Sequence, residues 1–206
     1  MSKFSGRICK IRSMSLDTNV ISDIPALSYY ETLLQGGLFL EEGEKTHYQR
    51  CRSSKKALFI LLDFDVRPIG LPIVRKELSV AVPNLRSLYD CLFNVHAPVD
   101  NESKALADKY GSALALEPAD ATVLALACHA RVDVLLSWNR HHISRKSTRE
   151  TLESINAGLH LPTPEILTPD EFLARVMKTE KKAIALSPAP LREIYRVQSY
   201  LSKRGI

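Results

Sequence analysis

The stretch PADATVLALACHARVDVLLSWN, residues 118–139, decides the fold class of this chain. Pro118 suits the first turn of a helix, and nearly all residues from there to Ala130 are apolar. A helix that is apolar on most sides is normally buried between other elements. Residues 132–138 then form an apolar run that predicts a strand. Because a helix leading into such a strand is typical of a parallel sheet covered by helices, we predict a three-layer α/β/α fold with a central, mostly parallel sheet.

Glycine and proline residues divide the rest of the chain into further elements. Gly36 and Gly37 end one predicted helix, and Pro72 and Pro83 each open another. The remaining predictions are strands over residues 11–16, 66–69 and 94–99, and helices over residues 20–34, 73–82, 101–110, 168–178 and 191–201.

The polar segment over residues 41–56 separates two apolar parts of the chain. We expect it to form a surface loop or a poorly packed insertion. It falls within a predicted domain that covers residues 1–180. Residues 181–206 are expected to form a Pro-containing linker and a C-terminal helix.

Composition excludes several classes of protein. The chain has 206 residues, of which 45% are hydrophobic and 25% charged, as in ordinary globular domains. The longest apolar run, residues 57–62, is far shorter than the roughly 20 residues of a membrane-spanning helix. No apolar stretch of signal-peptide length follows the basic start, so we expect a cytoplasmic protein without a membrane partner. The widely spaced cysteines Cys9, Cys51, Cys91 and Cys128 match neither a disulfide framework nor a zinc motif and are predicted to be reduced thiols.

Two of the candidate functional segments lie in the first half of the chain. Asp17 ends a predicted strand and is followed by the short polar residues Thr18 and Asn19. Ligands of open α/β sheets bind at the carboxyl ends of strands, which makes Asp17 a candidate ligand-binding residue. Capping of the next helix explains Asp17 or Asn19 equally well. Glu77 lies on the helix after Pro72, where a lone glutamate is normally solvated.

Two more segments belong to the stretch that decides the fold. Asp120 falls in the first turn of its helix, where free N–H groups and the helix dipole favour a carboxylate, either for function or for ordinary capping. Ser137 and Asn139 follow the strand of residues 132–138. The adjacent His141 and His142 lack the i, i+4 spacing of a helical zinc site, so we do not interpret them as one.

In chain order, these segments resemble the PIN domains, a family of metal-dependent nucleases that includes the VapC-like toxins of toxin–antitoxin pairs. The resemblance covers about residues 14–172. The motifs that carry it are LDTNVI at 16–21, IVRKEL at 73–78, ADA at 119–121 with Leu124, Ala125 and Ala127 behind it, and DVLLSWN at 133–139 with His142 and Ile143.

The resemblance implies a metal-dependent endoribonuclease with the family's acidic residues at Asp17, Glu77 and Asp120. The fourth acidic position falls on Asn139, a departure that removes one negative charge and bears on a second metal ion more than on the first. Asp133, at the start of its strand, does not match a ligand position. The supporting residues implied are Thr18, Asn19 and Ser137.

The chemistry of such a cluster follows from charge. Carboxylates that converge repel one another unless a cation neutralises them, and oxygen ligands suit Mg²⁺ or Mn²⁺. Such an ion polarises a phosphodiester oxygen and lowers the pKa of a bound water. We therefore expect Asp17, Glu77, Asp120 and Asn139 to be the metal-binding and catalytic residues.

The expected substrate is single-stranded or looped RNA, whose backbone and unstacked bases are accessible to a surface site. The residues predicted to contact it are Arg50, Arg52, Lys55, Lys56, Arg140 and His142. A solvated, flexible loop explains the first four equally well, because acidic residues precede them. An antitoxin-like protein partner and a homodimer are further expectations.

The distribution of charge bears on RNA binding. The net charge is +5, and residues 1–139 carry equal numbers of acidic and basic residues, so the whole excess lies in residues 140–206. If this segment folds beside the acidic residues, it forms a rim that attracts phosphate. If it projects away, the charge says little about RNA.

Two alternatives remain. One is a PIN-like module that binds RNA or a protein without cleaving it, because the fourth carboxylate is missing. The other is a phosphatase similar to the haloacid dehalogenases, whose first motif, an apolar strand ending in Asp-x-Asp-x-Val, resembles LLDFDV at residues 61–66. The late acidic pair that this family needs for Mg²⁺ does not occur in the sequence.

Overall fold

The computed structural model describes residues 11–63, 66–81 and 83–179, and within them five parallel strands form one sheet flanked by eight helices. The three-layer α/β/α prediction is confirmed. The strands are β1 (Ser13–Leu16), β2 (Arg67–Gly70), β3 (Val95–His96), β4 (Val134–Leu136) and β5 (Glu165–Leu167). The helices are α1 (Thr18–Gln35), α2 (Glu42–Asp63), α3 (Pro72–Ala81), α4 (Pro83–Leu92), α5 (Asn101–Leu114), α6 (Pro118–His129), α7 (Lys146–Gly158) and α8 (Pro169–Thr179).

The order of strands across the sheet is β3-β2-β1-β4-β5. The chain therefore builds outward from β1 through β2 to β3, then returns to the other side of β1 to add β4 and β5. This reversal is a topological switch, the place in an open α/β sheet where ligands bind outside the carboxyl ends of the strands. Leu16 of β1 lies opposite Leu136 of β4, so both strands end at the same level.

The burial of β1, β4 and α6 explains why residues 118–139 determine the architecture. All residues of β1 and β4 are buried, as expected of central parallel strands with helices on both faces. On α6 the apolar run from Val123 to Cys128 is buried as well. Burial of seven of its twelve residues explains why its sequence is apolar on most sides.

The prediction of a surface loop over residues 41–56 is wrong, because residues 42–56 form the first part of α2. Cys51, Ser54, Leu58 and Leu61 recur every three or four residues and are all buried. That spacing places them on one face of the helix, which packs against α1 and α8.

The helical state of α2 also removes the basis of the phosphatase-like alternative. Residues 61–63, which that motif requires to be the end of a strand, are the last residues of this helix. Residues 64 and 65 lie outside the described residues.

Two further elements, α7 and β5, were not predicted as regular structure. The buried positions of α7 include Thr148 and Asn156 as well as Leu152, so its inward face is not marked by apolar residues alone. The predicted linker and the helix over residues 191–201 lie outside the described residues.

The thiols and helices bear on the predicted setting of the protein. Cys51 and Cys128 are buried, Cys91 is exposed, and all three are free. Cys9 lies outside the described residues. Of the helices in the described ranges, none is both long enough and apolar enough to cross a membrane.

Candidate active site

Asp17 lies at the turn from β1 into α1, beside the end of β4. Its backbone N–H donates to the Leu136 carbonyl oxygen at 2.9 Å, which extends the pairing of the two strands by one residue. Its side chain accepts a hydrogen bond from the Thr18 backbone N–H at 2.7 Å and caps α1. The capping interpretation is therefore correct, and the cap is also a carboxylate at the topological switch.

Two of the predicted supporting residues, Asn19 and Ser137, hold the Asp17 carboxylate. The Ser137 hydroxyl donates to its Oδ2 at 2.6 Å, and the Asn19 side-chain amide donates to the same oxygen at 2.7 Å. The Asn19 side-chain oxygen in turn accepts from the Trp138 backbone N–H at 2.9 Å. These contacts join the residues that follow β1 to the residues that follow β4.

Glu77 reaches the same region from α3. The Thr18 hydroxyl donates to its carboxylate, so the first residue of α1 holds the glutamate beside Asp17. Glu77 is half-buried, unlike the solvated glutamate that is usual on a helix surface. The third predicted supporting residue, Thr18, therefore positions Glu77.

Asp120 and Asn139 form a hydrogen-bonded pair at the topological switch. Asp120 lies in the first turn of α6, as predicted from Pro118, and is half-buried. The Asn139 amide nitrogen donates to both carboxylate oxygens of Asp120 at 3.1 and 3.0 Å. Its amide oxygen accepts from the His142 backbone N–H at 3.1 Å. These contacts orient the Asn139 amide with its nitrogen toward Asp120.

The site concentrates negative charge where water is scarce. Burial raises the pKa of Asp17 to about 6, with smaller increases from the charges of Glu77 and Asp120, against the opposing hydrogen bonds of Ser137 and Thr18. The pKa of Asp120 is also raised, chiefly by burial, although His142, with Nδ1 at 3.6 Å from Oδ2, opposes the rise. A cation among these groups would offset the cost of keeping them ionised.

The donor set fits a hard cation, since Asp17, Glu77 and Asp120 offer only oxygen. Their spacing is wider than that of a compact metal centre. Within the described ranges, a group of ligand atoms all within 4.8 Å of one another occurs at Asp23, His47 and Cys51 and not at these three carboxylates. Binding an ion here therefore requires the acidic side chains to move closer together.

No family model, curated protein or solved structure matches this chain. The side chains at the topological switch are therefore the basis for assigning a function. They bring together all seven residues predicted as catalytic or supporting: Asp17, Thr18, Asn19, Glu77, Asp120, Ser137 and Asn139.

The predicted RNA-contacting residues divide into two groups. Arg50 and Arg140 both lie over the Trp138 ring, at 5.4 and 5.9 Å from its centroid, and His142 contacts Asp120. Arg52 and Lys55 instead lie over rings of α2 itself, and Lys56 is exposed on that helix. The described contacts thus link three of the six predicted residues to the acidic site.

Arg50 has a structural partner that its sequence position did not reveal. Its Nε donates to the buried carboxylate of Asp23 at 2.7 Å. The guanidinium is therefore held by an ion pair within the protein. We therefore assign Arg50 a structural role in packing α2 against α1, ahead of the predicted role in RNA contact.

Asp133 lies at the opposite end of β4 from the acidic site. Its carboxylate accepts hydrogen bonds from the backbone N–H groups of Arg12 and Ser13, at 2.7 and 2.9 Å, and so ties the start of β1 to the start of β4. Its exclusion from the ligand set agrees with this placement.

Sequence reasoning missed Trp138 and the group formed by Asp23, His47 and Cys51. A signal for the group was present, because His47 and Cys51 are four residues apart and lie on one face of a helix. Because a loop over residues 41–56 would have no such face, the sequence prediction did not contain this group.

The raised pKa of Asp17 predicts how the stability of the protein depends on pH when EDTA removes divalent cations. Between about pH 4 and pH 6 the unfolded chain releases this proton while the folded protein retains it, so the stability of the wild type falls as pH rises through that window. The loss is at most about 3 kcal/mol for a shift of this size. Asp17→Asn has no such ionisation and should lose less stability than the wild type between pH 4 and pH 7. Urea unfolding in EDTA checks this, and parallel pH profiles for the two proteins would contradict it.

Proposed function

We propose that this protein is a metal-dependent endoribonuclease of the PIN type that hydrolyses phosphodiester bonds in single-stranded RNA. The observation that carries the proposal is the buried Asp17 carboxylate at the topological switch, with Glu77 and Asp120 near enough to raise its pKa. Burying like charges together is costly, and it is typical of sites that bind a cation or perform acid–base chemistry.

In this proposal the residues have distinct roles. Asp17 and Asp120 bind Mg²⁺ or Mn²⁺ directly, and Glu77 binds it or orients a water. When bound, the ion polarises a phosphodiester oxygen and activates the water that attacks phosphorus. Ser137 and Asn139 hold the two aspartates through the hydrogen bonds described above.

Trp138 and Arg140 support a nucleic-acid substrate. Trp138 is half-buried next to Asn139, and its ring is flanked by Arg50 and Arg140. Unpaired bases stack on aromatic and guanidinium surfaces in single-strand binding sites. The Arg140 side chain is 63% exposed and its nearest carboxylate, Asp170, is 4.0 Å away, which leaves it accessible to phosphate.

The whole net charge of +5 lies in residues 140–206. Arg140 is the residue of this segment that lies beside the acidic site, over the Trp138 ring. Exposed Arg145 and Lys146 follow it at the start of α7. We propose that these three residues attract the RNA backbone toward the acidic site.

The test is cleavage of a labelled single-stranded RNA with Mg²⁺ or Mn²⁺ and with EDTA. We expect cation-dependent cleavage that is lost in Asp17→Ala and in Asp120→Ala. Unaltered cleavage in both variants would mean that another site or another protein cuts the RNA. Binding without cleavage would favour the non-catalytic module, for which the replacement of the fourth carboxylate by Asn139 is the supporting observation.

Replacing Arg140 by glutamine should weaken RNA binding while leaving the chemical step unchanged. Loss of one phosphate contact reduces the slope of log Kd against log salt by about 0.7 for a single strand. We expect a higher KM, an unchanged kcat and that smaller slope, measured by cleavage kinetics and by binding in EDTA across a salt series.

Lys104→Gln is the matched control, because it removes the same charge from an exposed position on α5. Helix α5 begins at Asn101, and the residue before it, Asp100, contacts His129 at 2.9 Å. His129 is the last residue of α6, whereas Asp120 lies in the first turn of that helix. The start of α5 is therefore at the end of α6 that is away from Asp120. If the control changes KM as much as Arg140→Gln does, the effect belongs to overall charge and not to this site.

The proposal includes the cytoplasm as the place of action, an antitoxin-like protein partner and a homodimer. Four apolar side chains, Tyr29, Leu34, Leu38 and Phe39, are exposed on the second half of α1 and the segment after it. Exposed large apolar side chains are typical of protein contacts where they form a contiguous patch. Light scattering of the purified chain measures whether it self-associates.

A further inference from the structure

A second group of metal-ligating side chains lies between α1 and α2. It consists of Asp23 on α1 with His47 and Cys51 on α2, and one ligand atom from each lies within 4.8 Å of the other two. Asp23 and Cys51 are buried and His47 is half-buried. None of the three belongs to the acidic site at the topological switch.

The backbone presents these side chains in a geometry that suits one ion. His47 and Cys51 are four residues apart on a helix and therefore project from the same face. The His47 Nε2 lies 3.6 Å from the Asp23 Oδ1. Two ligands at the usual Zn–N and Zn–O lengths of about 2.0 Å are about 3.3 Å apart in a tetrahedral site. The observed separation is thus close to one edge of such a tetrahedron.

Surrounding groups already hold the outer atoms of two of these ligands. The Tyr30 hydroxyl hydrogen-bonds the His47 Nδ1 at 2.8 Å, which leaves Nε2 facing Asp23. Arg50 Nε and the Ser54 hydroxyl donate to the Asp23 Oδ2, at 2.7 and 3.4 Å, which leaves Oδ1 facing His47. Outer hydrogen bonds that fix the orientation of histidine and carboxylate ligands are a regular feature of metal sites.

We propose that Asp23, His47 and Cys51 bind a Zn²⁺ ion. One sulfur, one nitrogen and one oxygen are the ligand types of zinc sites, whereas Mg²⁺ takes oxygen. Because the His47 side chain is 42% exposed, water can reach the fourth position. Cys51 binds as the thiolate, so one proton leaves the protein when the ion binds.

The proposed ion would join α2 to α1 on the side of the acidic site that carries Trp138. Ser54, which donates to Asp23, also accepts a hydrogen bond from the Trp138 indole N–H at 2.8 Å. Arg50 contacts both Asp23 and the Trp138 ring. The proposed zinc site is therefore two contacts away from Trp138, the residue proposed above to stack on RNA bases, and its role is to hold α2 in place.

Cobalt substitution gives a direct test on the full-length chain. Co²⁺ replaces Zn²⁺ in such sites, and a cobalt–thiolate bond gives a charge-transfer absorption in the near ultraviolet that oxygen ligands do not give. We expect the metal-free wild type to bind one Co²⁺ with this absorption, and added Zn²⁺ to abolish it. Absence of the absorption at saturating Co²⁺ would overturn the proposal.

Matched variants assign the absorption to this group. His47→Gln, at a half-exposed position, and Cys51→Ser should each abolish it, whereas Cys91→Ser, at an exposed thiol, should retain it. Tyr30→Phe keeps the ring and removes the outer hydrogen bond, so it should weaken Zn²⁺ binding about tenfold. A signal that survives in His47→Gln, or that disappears in Cys91→Ser, would overturn the assignment.

The test is independent of nuclease activity. Asp120→Asn should lose RNA cleavage and retain the cobalt absorption, because Asp120 is not among the three ligands. If Co²⁺ does not bind to Asp23, His47 and Cys51, the zinc proposal fails. The proposed nuclease function is decided separately, by the RNA-cleavage assay.

Discussion

Replacing Asp120 by asparagine is expected to lower kcat/KM for single-stranded RNA by about 1,000-fold while the protein stays folded. The loss corresponds to about 4 kcal/mol of transition-state stabilisation, the size of effect that follows removal of one well-placed electrostatic group. Asp120 is the better of the two aspartates for this experiment, because it is half-buried and caps no strand or helix through its side chain. An asparagine oxygen at this position can still accept from Asn139. Kinetics with Mn²⁺, together with circular dichroism, give both measurements.

Asp133→Asn provides the matched control for this variant. It makes the same chemical change at the start of β4, where the carboxylate accepts from the Arg12 and Ser13 backbone N–H groups. We expect a loss of about 1 kcal/mol in stability, the size of one hydrogen bond, and unchanged cleavage. If both variants lose activity equally, the loss comes from the sheet and not from chemistry at the switch.

Replacing Asn156 by leucine is expected to destabilise the protein by about 3 kcal/mol. Asn156 is fully buried on α7 and connects three parts of the fold. It accepts from the Tyr110 hydroxyl of α5, and its amide nitrogen donates to the Thr163 hydroxyl at 3.0 Å and lies 3.3 Å from the Cys128 sulfur of α6. Leucine has a similar volume but leaves the Tyr110 hydroxyl and the Thr163 oxygen without this partner. Urea unfolding followed by circular dichroism measures the change.

A double-mutant cycle separates the hydrogen bond from the packing. Tyr110→Phe removes the other side of the bond, so the combination with Asn156→Leu should cost less than the two single changes added together. Strict additivity would mean that the Asn156–Tyr110 bond contributes nothing and that the loss comes from packing around leucine.

Much of the fold could be predicted because its central elements are strongly apolar. The buried helix α6 and strand β4 are continuous in the sequence, so their pattern indicated both the parallel sheet and its helical cover. Proline and glycine residues marked several helix ends, since Pro72 and Pro118 are first helical residues and Gly36 follows the last residue of α1. These signals are local and survive without knowledge of the tertiary structure.

The helix α2 could not be recognised from its composition. Its first half is rich in charged residues, and one of its buried positions is filled by Ser54, which donates to Asp23 and accepts from Trp138. A polar side chain that is buried because it has hydrogen-bond partners elsewhere in the chain looks like a surface residue in the sequence. The same reason concealed α7, whose inward face contains Thr148 and Asn156.

The candidate site was predicted more completely than its internal contacts. Residues that follow parallel strands meet at one sheet edge, so the neighbourhood of Asp17, Ser137 and Asn139 follows from the fold class. The orientation of Asn139, with nitrogen toward Asp120 and oxygen toward His142, depends on partners that no sequence spacing reveals. Likewise, Arg50 forms its ion pair with Asp23 because α1 packs on α2. The sequence therefore did not show that this arginine already has a partner within the protein.

The most direct test of the central claim is the chemistry of the cut, measured on a single-stranded RNA in ¹⁸O-labelled water with wild-type protein and Mn²⁺. Attack by water adds one labelled oxygen to phosphorus, breaks the bond to the leaving ribose oxygen and transfers a proton to that oxygen. We predict a labelled phosphate on one product, a hydroxyl on the other, no cyclic 2′,3′-phosphate, and no products in EDTA or with Asp120→Asn. A cyclic 2′,3′-phosphate formed without a divalent cation, or RNA left uncut under every condition, would contradict the account.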